Sequence, residues 1–380
     1  MFENPTVVWE EVREAGGVAF RPEVDAWVVV DHARVRAGLR DRRLSSEVAG
    51  RGPAKGPLAP ILEVLRDQLF LMDPPRHRRM RLLVAKAFTP RSVAALEDGA
   101  REDCAELLGF REGDFVARFA YPFPLRVIAR LFGIPAHEHR AFREWSNAIA
   151  AFVVQHKPSR EVVGAALTAV GEIKPFLRER IRSREPGGDD LLASLLAAQD
   201  EGGGLTEDEI VHTAMQFLIA GHETTTNLLG NIVLALSRDP GLLRRVRDEP
   251  AAAAALVEET LRHDPSVLMV DRVASEPLDM AGRTIAAGDR VMLSVAGANR
   301  DPAVFPDADR FDIDRDNLRQ QLGFGAGMHV CLGAALTRLE TRLAVEQIAS
   351  VATEIVAEGP LEYRRSATHR GLVALPISFR

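Results

Sequence analysis

Leu322-Gly323-Phe324-Gly325-Ala326-Gly327-Met328-His329-Val330-Cys331-Leu332-Gly333 is the stretch from which the rest of this chain is read. Three glycines precede the cysteine and one follows it, so the backbone can turn tightly and approach a neighbour closely. From Ala334 a helical pattern begins, Ala334-Ala335-Leu336-Thr337-Arg338-Leu339-Glu340. Cys331 therefore sits at a helix N-terminus, where the dipole and the first backbone N–H groups favour a thiolate. A thiolate in such a place can bind iron and push electron density onto it. The loop alone also fits a buried cysteine in a glycine turn, or a thiol nucleophile paired with His329.

Helical periodicity dominates outside the loop. The longest helical pattern runs from Thr206 to about Ser237. It opens on a capping box, Thr206-Glu207-Asp208-Glu209, and stops at Asp239-Pro240-Gly241 because proline cannot continue the ladder. At 1.5 Å per residue it spans roughly 48 Å, and it is apolar on most sides, as a buried central helix must be. Residues 6–45 read as a short helix and a strand pair ending at Ala26-Trp27-Val28-Val29-Val30, and 46–60, rich in Gly, Pro and Ala, as a loop. Helices follow over 74–182, with breaks near Pro122, Pro124 and Pro135. Gly187-Gly188 and Gly202-Gly203-Gly204 bracket another short helix. Strand-like pieces cluster at 277–295 and 360–380, with turns at Ala281-Gly282 and Ala287-Gly288. With no repeat and no long linker, the expectation is a mainly α protein with small β-sheets, one domain over residues 1–380.

Composition narrows the class. The 380 residues are 46% hydrophobic and 27% charged, enough for a sizeable core. A net charge of -6 disfavours a nucleic-acid footprint. No apolar run reaches about 18 residues, and the start, Met1-Phe2-Glu3-Asn4-Pro5, is not a signal peptide, so no membrane partner and a cytoplasmic location are expected. The two cysteines, Cys104 and Cys331, read as reduced, with Cys104 a small packed side chain in a helix.

Three further patterns carry polar chemistry. Ala220-Gly221-His222-Glu223-Thr224 puts a small pair and an acid–alcohol pair inside the apolar long helix, which is costly unless they have a partner or a task. Read alone, it fits a polar kink equally. Glu259 and Arg262 stand three apart on one helical face, by itself an ordinary surface pair. His77 and Arg81, four apart, share a face of a helix opened by Asp73-Pro74-Pro75, which without context is a solvated basic helix start.

Phe324-Gly325-x-Gly327-x-His329-x-Cys331-x-Gly333 resembles, without a gap, the haem-binding signature of the cytochromes P-450, and the distant patterns are similar to that family's other motifs. The resemblance covers nearly the whole chain, from about residue 8 onward. It implies the cytochrome P-450 fold, with the long central helix over a haem b. It makes Cys331 the iron ligand, Phe324 a neighbour of the sulfur, and His329, His77, Arg81 and Arg272 partners of the haem propionates, with Gly325 and Gly333 shaping the loop. Ala220 and Gly221 become an oxygen groove, Thr224 a hydrogen-bond donor to dioxygen and Glu223 a proton supplier. Glu259 and Arg262 become two members of a structural triad, with Arg310, in Asp309-Arg310-Phe311, as its third.

The implied activity is a haem-thiolate monooxygenase that inserts one oxygen atom from O2 into a hydrophobic small molecule, as hydroxylation or epoxidation, in bacterial secondary metabolism. Electrons would come from a separate ferredoxin and ferredoxin reductase, with Arg76, Arg78, Arg79, Arg338 and Arg342 as a basic docking face and the enzyme a monomer. Substrate contacts are expected from the loop at 46–70, helices around 148–176, Val267, Leu268 and Val270, and Thr368 to Val373. A peroxide-using peroxygenase usually lacks the acid–alcohol pair. A non-enzymatic haem sensor would leave the Glu223-Thr224 motif unexplained.

Overall fold

Ala26-Trp27-Val28-Val29-Val30 is apolar on both alternating faces and rich in β-branched residues, which suits a strand covered on both sides. In the computed structural model, which describes residues 5–47, 56–85, 88–154, 158–183, 190–197, 204–364 and 366–380, Ala26–Val29 is an inner strand of a five-stranded sheet. Val18–Arg21 pairs with it antiparallel on one side (Phe20 opposite Trp27) and Arg290–Ser294 parallel on the other (Trp27 opposite Val291). Met269–Ala274 then pairs antiparallel with Arg290–Ser294, and Leu44–Ser45 closes the edge. The period of two sorts the side chains. Val29, Val291 and Leu293 join a core with Val35, Leu39 and Leu44, whereas Val28, Val30 and Met292 join another with Val8, Trp9 and Val12.

Leu278–Met280 and Arg283–Ile285 form the hairpin expected near 277–295. Ala281 and Gly282, both with positive φ (55° and 71°), make its two-residue turn. Near the C-terminus, Pro376–Phe379 pairs with Glu112–Asp114 and Ile355–Ala357, and Glu362–Tyr363 pairs with Leu372–Ala374.

The long helix is Glu207–Arg238. Its capping box is formed as the sequence predicts: Glu209 N–H donates to Thr206 Oγ1 at 3.2 Å and Thr206 N–H to Glu209 Oε2 at 3.0 Å. Pro240 opens the next helix, Pro240–Asp248, which Asp239 caps. Proline also starts, rather than breaks, the helix Pro122–Leu131, while Pro175 is tolerated inside Arg160–Arg182. The short helix expected between the two glycine clusters is Leu191–Ala197. Gly187, Gly188, Gly202 and Gly203 and much of the loop at 46–60 lie outside the described residues.

The chain divides into two compact units. The first comprises residues 1–48, 108–120 and 224–380 and holds the sheets described above, the helix Ala252–His263 and the helix Ala334–Val351. The second, residues 49–107 and 121–223, is helical and includes Ala59–Arg66, Arg76–Ala85, His139–Val154 and Arg160–Arg182. The long helix contributes to both, the division falling between Glu223 and Thr224. Among the described residues no helix is long and apolar enough to cross a membrane.

Candidate active site

In the first unit the glycines turn the chain sharply before Cys331. Gly325 and Gly327 have φ of +72° and +74°, which side-chain-bearing residues rarely adopt. At Gly327 there is also no room: an added Cβ would lie 2.9 Å from the Leu39 carbonyl oxygen. The turn is closed by Gly325 N–H donating to the Leu322 carbonyl at 2.7 Å and Cys331 N–H to the Phe324 carbonyl at 2.8 Å. Asn299 Oδ1 anchors its start, accepting from Leu322 N–H at 2.7 Å. Cys331 is exposed and stands two residues before Gly333, the N-cap of the helix Ala334–Val351. Cys104, by contrast, is fully buried in the helix Glu97–Leu107, and no disulfide joins the two.

The Phe324 ring lies under the Arg338 guanidinium, 4.5 Å away, and Arg338 also pairs with Glu258. His329 Nε2 lies 3.0 Å from Ser46 Oγ, a buried hydroxyl that sequence reasoning did not single out. Arg272 is buried on its strand and donates to the Asp271 carbonyl at 2.8 Å. Leu268 N–H donates to the Thr368 carbonyl at 2.7 Å and Val267 bridges His369, so two segments expected to touch substrate do meet. Leu268 is buried there, and Val267 and Val270 are half-buried. Ser266 Oγ donates to the Thr224 carbonyl at 2.7 Å, a second contact with no local sequence signal.

Glu259 and Arg262 are both fully buried. All five guanidinium donors of Arg262 are used. Two meet the Glu259 carboxylate at 2.7 Å each, and the rest reach the carbonyls of Asn299, Ala308 and Arg310 at 3.1, 2.7 and 2.9 Å. The third side chain of this group is not Arg310. Its side chain is 71% exposed beside Asp312, and only its carbonyl joins the network. Arg315, with an 8% exposed side chain, lies 3.5 Å from Glu259 Oε1 and donates to the carbonyls of Pro306, Asp307 and Arg310. Asp309-Arg310-Phe311 leaves its arginine on the outside of the turn, and the chain returns to Glu259 only at Asp312, whose N–H donates to Oε1 at 2.7 Å.

The long helix is buried along 210–219 and again from Thr225, but Ala220, Gly221, Glu223 and Thr224 are half-exposed. An otherwise covered helix therefore opens at its small pair and its acid–alcohol pair. Within the second unit, a Cβ on Gly221 would press on Ile128 Cδ1 at 3.2 Å, and the buried His222 packs edge-on against Tyr121. On the helix Arg76–Ala85, His77 is buried and Arg81 half-buried. Burial, and then the Arg81 cation, hold the His77 imidazole below its ordinary pKa, with Asp73 opposing.

The proposed docking arginines are mostly engaged within their own units. Arg76 pairs with Asp67 at 2.6 Å, Arg79 with Glu209, Arg338 with Glu258 and Arg342 with Glu346 at 2.8 Å. Arg78 is exposed and has no carboxylate partner among the described residues.

Comparison with known proteins shows what the chain as a whole is similar to. The family model for cytochrome P450 matches residues 151–350. The monooxygenase PikC of Streptomyces venezuelae is 38% identical over 94% of this chain and 86% of its own length. The vitamin D(3) 25-hydroxylase of Pseudonocardia autotrophica is 37% identical over 94% and 89%. Among solved structures, P450BioI in complex with an acyl carrier protein bearing hexadec-9Z-enoic acid aligns with a TM-score of 0.92 at 30% identity, covering 100% of this chain and 99% of that one. CYP109E1 from Bacillus megaterium in complex with testosterone aligns with a TM-score of 0.86 at 31% identity, with 99% of each chain covered.

Proposed function

Because this chain belongs to the cytochrome P450 family, whose members are haem-thiolate monooxygenases carrying haem b, we propose that Cys331 is its iron ligand and that Glu223 and Thr224 move protons to dioxygen. The observation that carries this is the glycine turn that holds Cys331 two residues before a helix start, its backbone closed by hydrogen bonds to Phe324 and Leu322. The donor set fits the cofactor. A thiolate suits iron, and His77, Arg81, Arg272 and His329 supply hydrogen bonds and positive charge for two propionates, with Phe324, Gly325 and Gly333 framing the sulfur. Bound haem supplies the activation of O2, which thiolate donation favours.

The chain's own residues do the rest. Ala220 and Gly221 leave the space that a larger pair would fill. The Glu223 carboxyl would resupply a proton to Thr224 Oγ1 as that hydroxyl gives its own to the oxygen, and Ser266 fixes the backbone of Thr224. Glu259, Arg262 and Arg315 hold the segment 299–315, from which Asn299 anchors the cysteine loop. Val267, Leu268 and Val270, with the segment from Thr368, form one apolar wall of the substrate site. The substrate is a hydrophobic small molecule of bacterial secondary metabolism, hydroxylated or epoxidised. The whole chain serves as one catalytic domain, a monomer of the cytoplasm.

The reduced protein under carbon monoxide is expected to show the red-shifted Soret band of thiolate ligation, which Cys104→Ala keeps and Cys331→Ala loses. A band that survives in Cys331→Ala refutes the ligand. Electrons come from a separate ferredoxin and its reductase, and the charge pairing above makes Arg78 the main cation for docking. Arg78→Glu is expected to slow reduction by ferredoxin more than Arg338→Glu does, with substrate affinity unchanged. Equal rates in stopped-flow reduction remove that assignment.

A further inference from the structure

We propose that His212 and Gln216 are positioning residues that latch the segment Asp67–Leu71 onto the long helix and so set how readily ligands enter and leave the active site. The inference rests on the reading that residues 46–70 border the substrate and that Ala220 and Glu223 face the reacting oxygen.

His212, Gln216, Ala220 and Glu223 fall within one narrow stripe of the long helix, since residues four and eleven apart return to the same face. The first two are buried. Each is committed to the segment between the helices Ala59–Arg66 and Arg76–Ala85. His212 Nδ1 meets Asp67 Oδ2 at 2.6 Å, while the other Asp67 oxygen takes Arg76 Nη2 at 2.6 Å. Gln216 Oε1 accepts from the backbone N–H of Leu69. Between them the fully buried Gln68 turns back, its Nε2 donating to the Val64 carbonyl at 2.7 Å.

Three consecutive residues are thus held from three directions. The carboxylate is the centre of the arrangement, because a partly buried Asp67 is costly unless both oxygens are matched. Without His212, Arg76 is the side-chain partner that remains among the described residues, and its side chain is 46% exposed, so solvent competes for it. Moving the segment away would uncover the stripe that runs on to Ala220 and Glu223, so latch and groove share one surface of one helix.

The test uses the haem-loaded enzyme and three variants, His212→Phe, Asp67→Asn and Gln216→Met, the last keeping side-chain volume while removing the acceptor. Amide hydrogen exchange over 62–72 and the stopped-flow association and dissociation of 4-phenylimidazole are measured together with the carbon monoxide spectrum. Exchange of residues 67–71 is expected to quicken about tenfold in each variant, with 4-phenylimidazole both binding and leaving faster. His212→Phe should add less in the Asp67→Asn background than in the wild type, because both changes weaken the one contact between His212 and Asp67. Unchanged exchange in all three overturns the latch. Faster exchange with unchanged ligand rates overturns its role in access. A wild-type enzyme without the red-shifted carbonyl band would instead refute the haem-thiolate reading, which the exchange data do not depend on.

Discussion

The Glu259–Arg262 pair and the Cys331 loop lie in the same unit and are each announced by a few residues, yet they end in opposite conditions. Glu259 and Arg262 are fully buried, and every donor of the guanidinium finds an acceptor in the protein. Cys331 stands at the end of a turn whose backbone is hydrogen-bonded within the loop, two residues before the N-cap of a helix. A polar group whose partners all lie within the protein serves the fold, and a cysteine held in place by a rigid turn serves chemistry. The difference lies in burial and partners, not in residue type.

The largest effect expected of this contrast is on stability. Arg262→Ala removes two hydrogen bonds from the buried Glu259 charge, leaving it the Asp312 N–H and Arg315, and takes the Arg262 donors from three carbonyls, at a cost of about 3–5 kcal/mol. Denaturant titration measures it, and the double change Glu259→Gln with Arg262→Met should cost less than the single one. A loss under about 1 kcal/mol for Arg262→Ala would mean that the pair is not structural.

Cys331→Ala should behave the other way. Its unfolding midpoint without haem should stay within about 1 kcal/mol of wild type, as for other exposed positions, while the carbonyl spectrum changes completely. A large loss of stability without haem would erase the distinction between the two regions.

The third side chain of the triad gives a finer test. Arg315→Ala removes an ion pair to Glu259 and three carbonyl contacts and is expected to cost about 1–3 kcal/mol. Arg310→Ala should stay within about 0.5 kcal/mol, as an exposed side chain does. Reversal of that order would restore Arg310 to the triad.

The smallest effect is on pH dependence. His263 ends the triad helix, its Nε2 3.0 Å from the Asp309 carbonyl. Burial, then the Arg300 cation, push its pKa down to about 3 from an ordinary 6.5. The folded state therefore keeps it neutral where the unfolded chain would protonate. This contribution is complete above the unfolded value of 6.5 and is lost as pH falls from there towards about 3. Urea midpoints at pH 7.5 and pH 5 should differ less in His263→Gln than in wild type, and equal differences would show that another group carries the acid sensitivity.

Much of the fold was legible because local rules and tertiary packing agree. The capping box at Thr206, the stop at Asp239-Pro240 and the turn at Ala281-Gly282 are short-range geometry, and each formed where its residues stand. Arg310 misled because two arginines follow Glu259 within one irregular segment, and only the path of the chain decides which turns inward. Ser46 and Ser266 left no signal, since a serine that meets His329 or the Thr224 carbonyl from a distant part of the chain looks like any other serine. The arginines read as a docking face show the same limit: in space Arg76 meets Asp67 and Arg338 meets Glu258, carboxylates that no run of charges along the chain points to.

By itself, then, the sequence determined the class of this protein: a glycine-shaped cysteine turn, an acid–alcohol pair in a long apolar helix and a Glu-x-x-Arg pair, each set by residues close together in the chain. Tertiary structure alone decided which polar groups are buried and which partners they meet. Burial and hydrogen-bond partnership depend on residues far apart in sequence, and a single string of residues does not encode those distances locally.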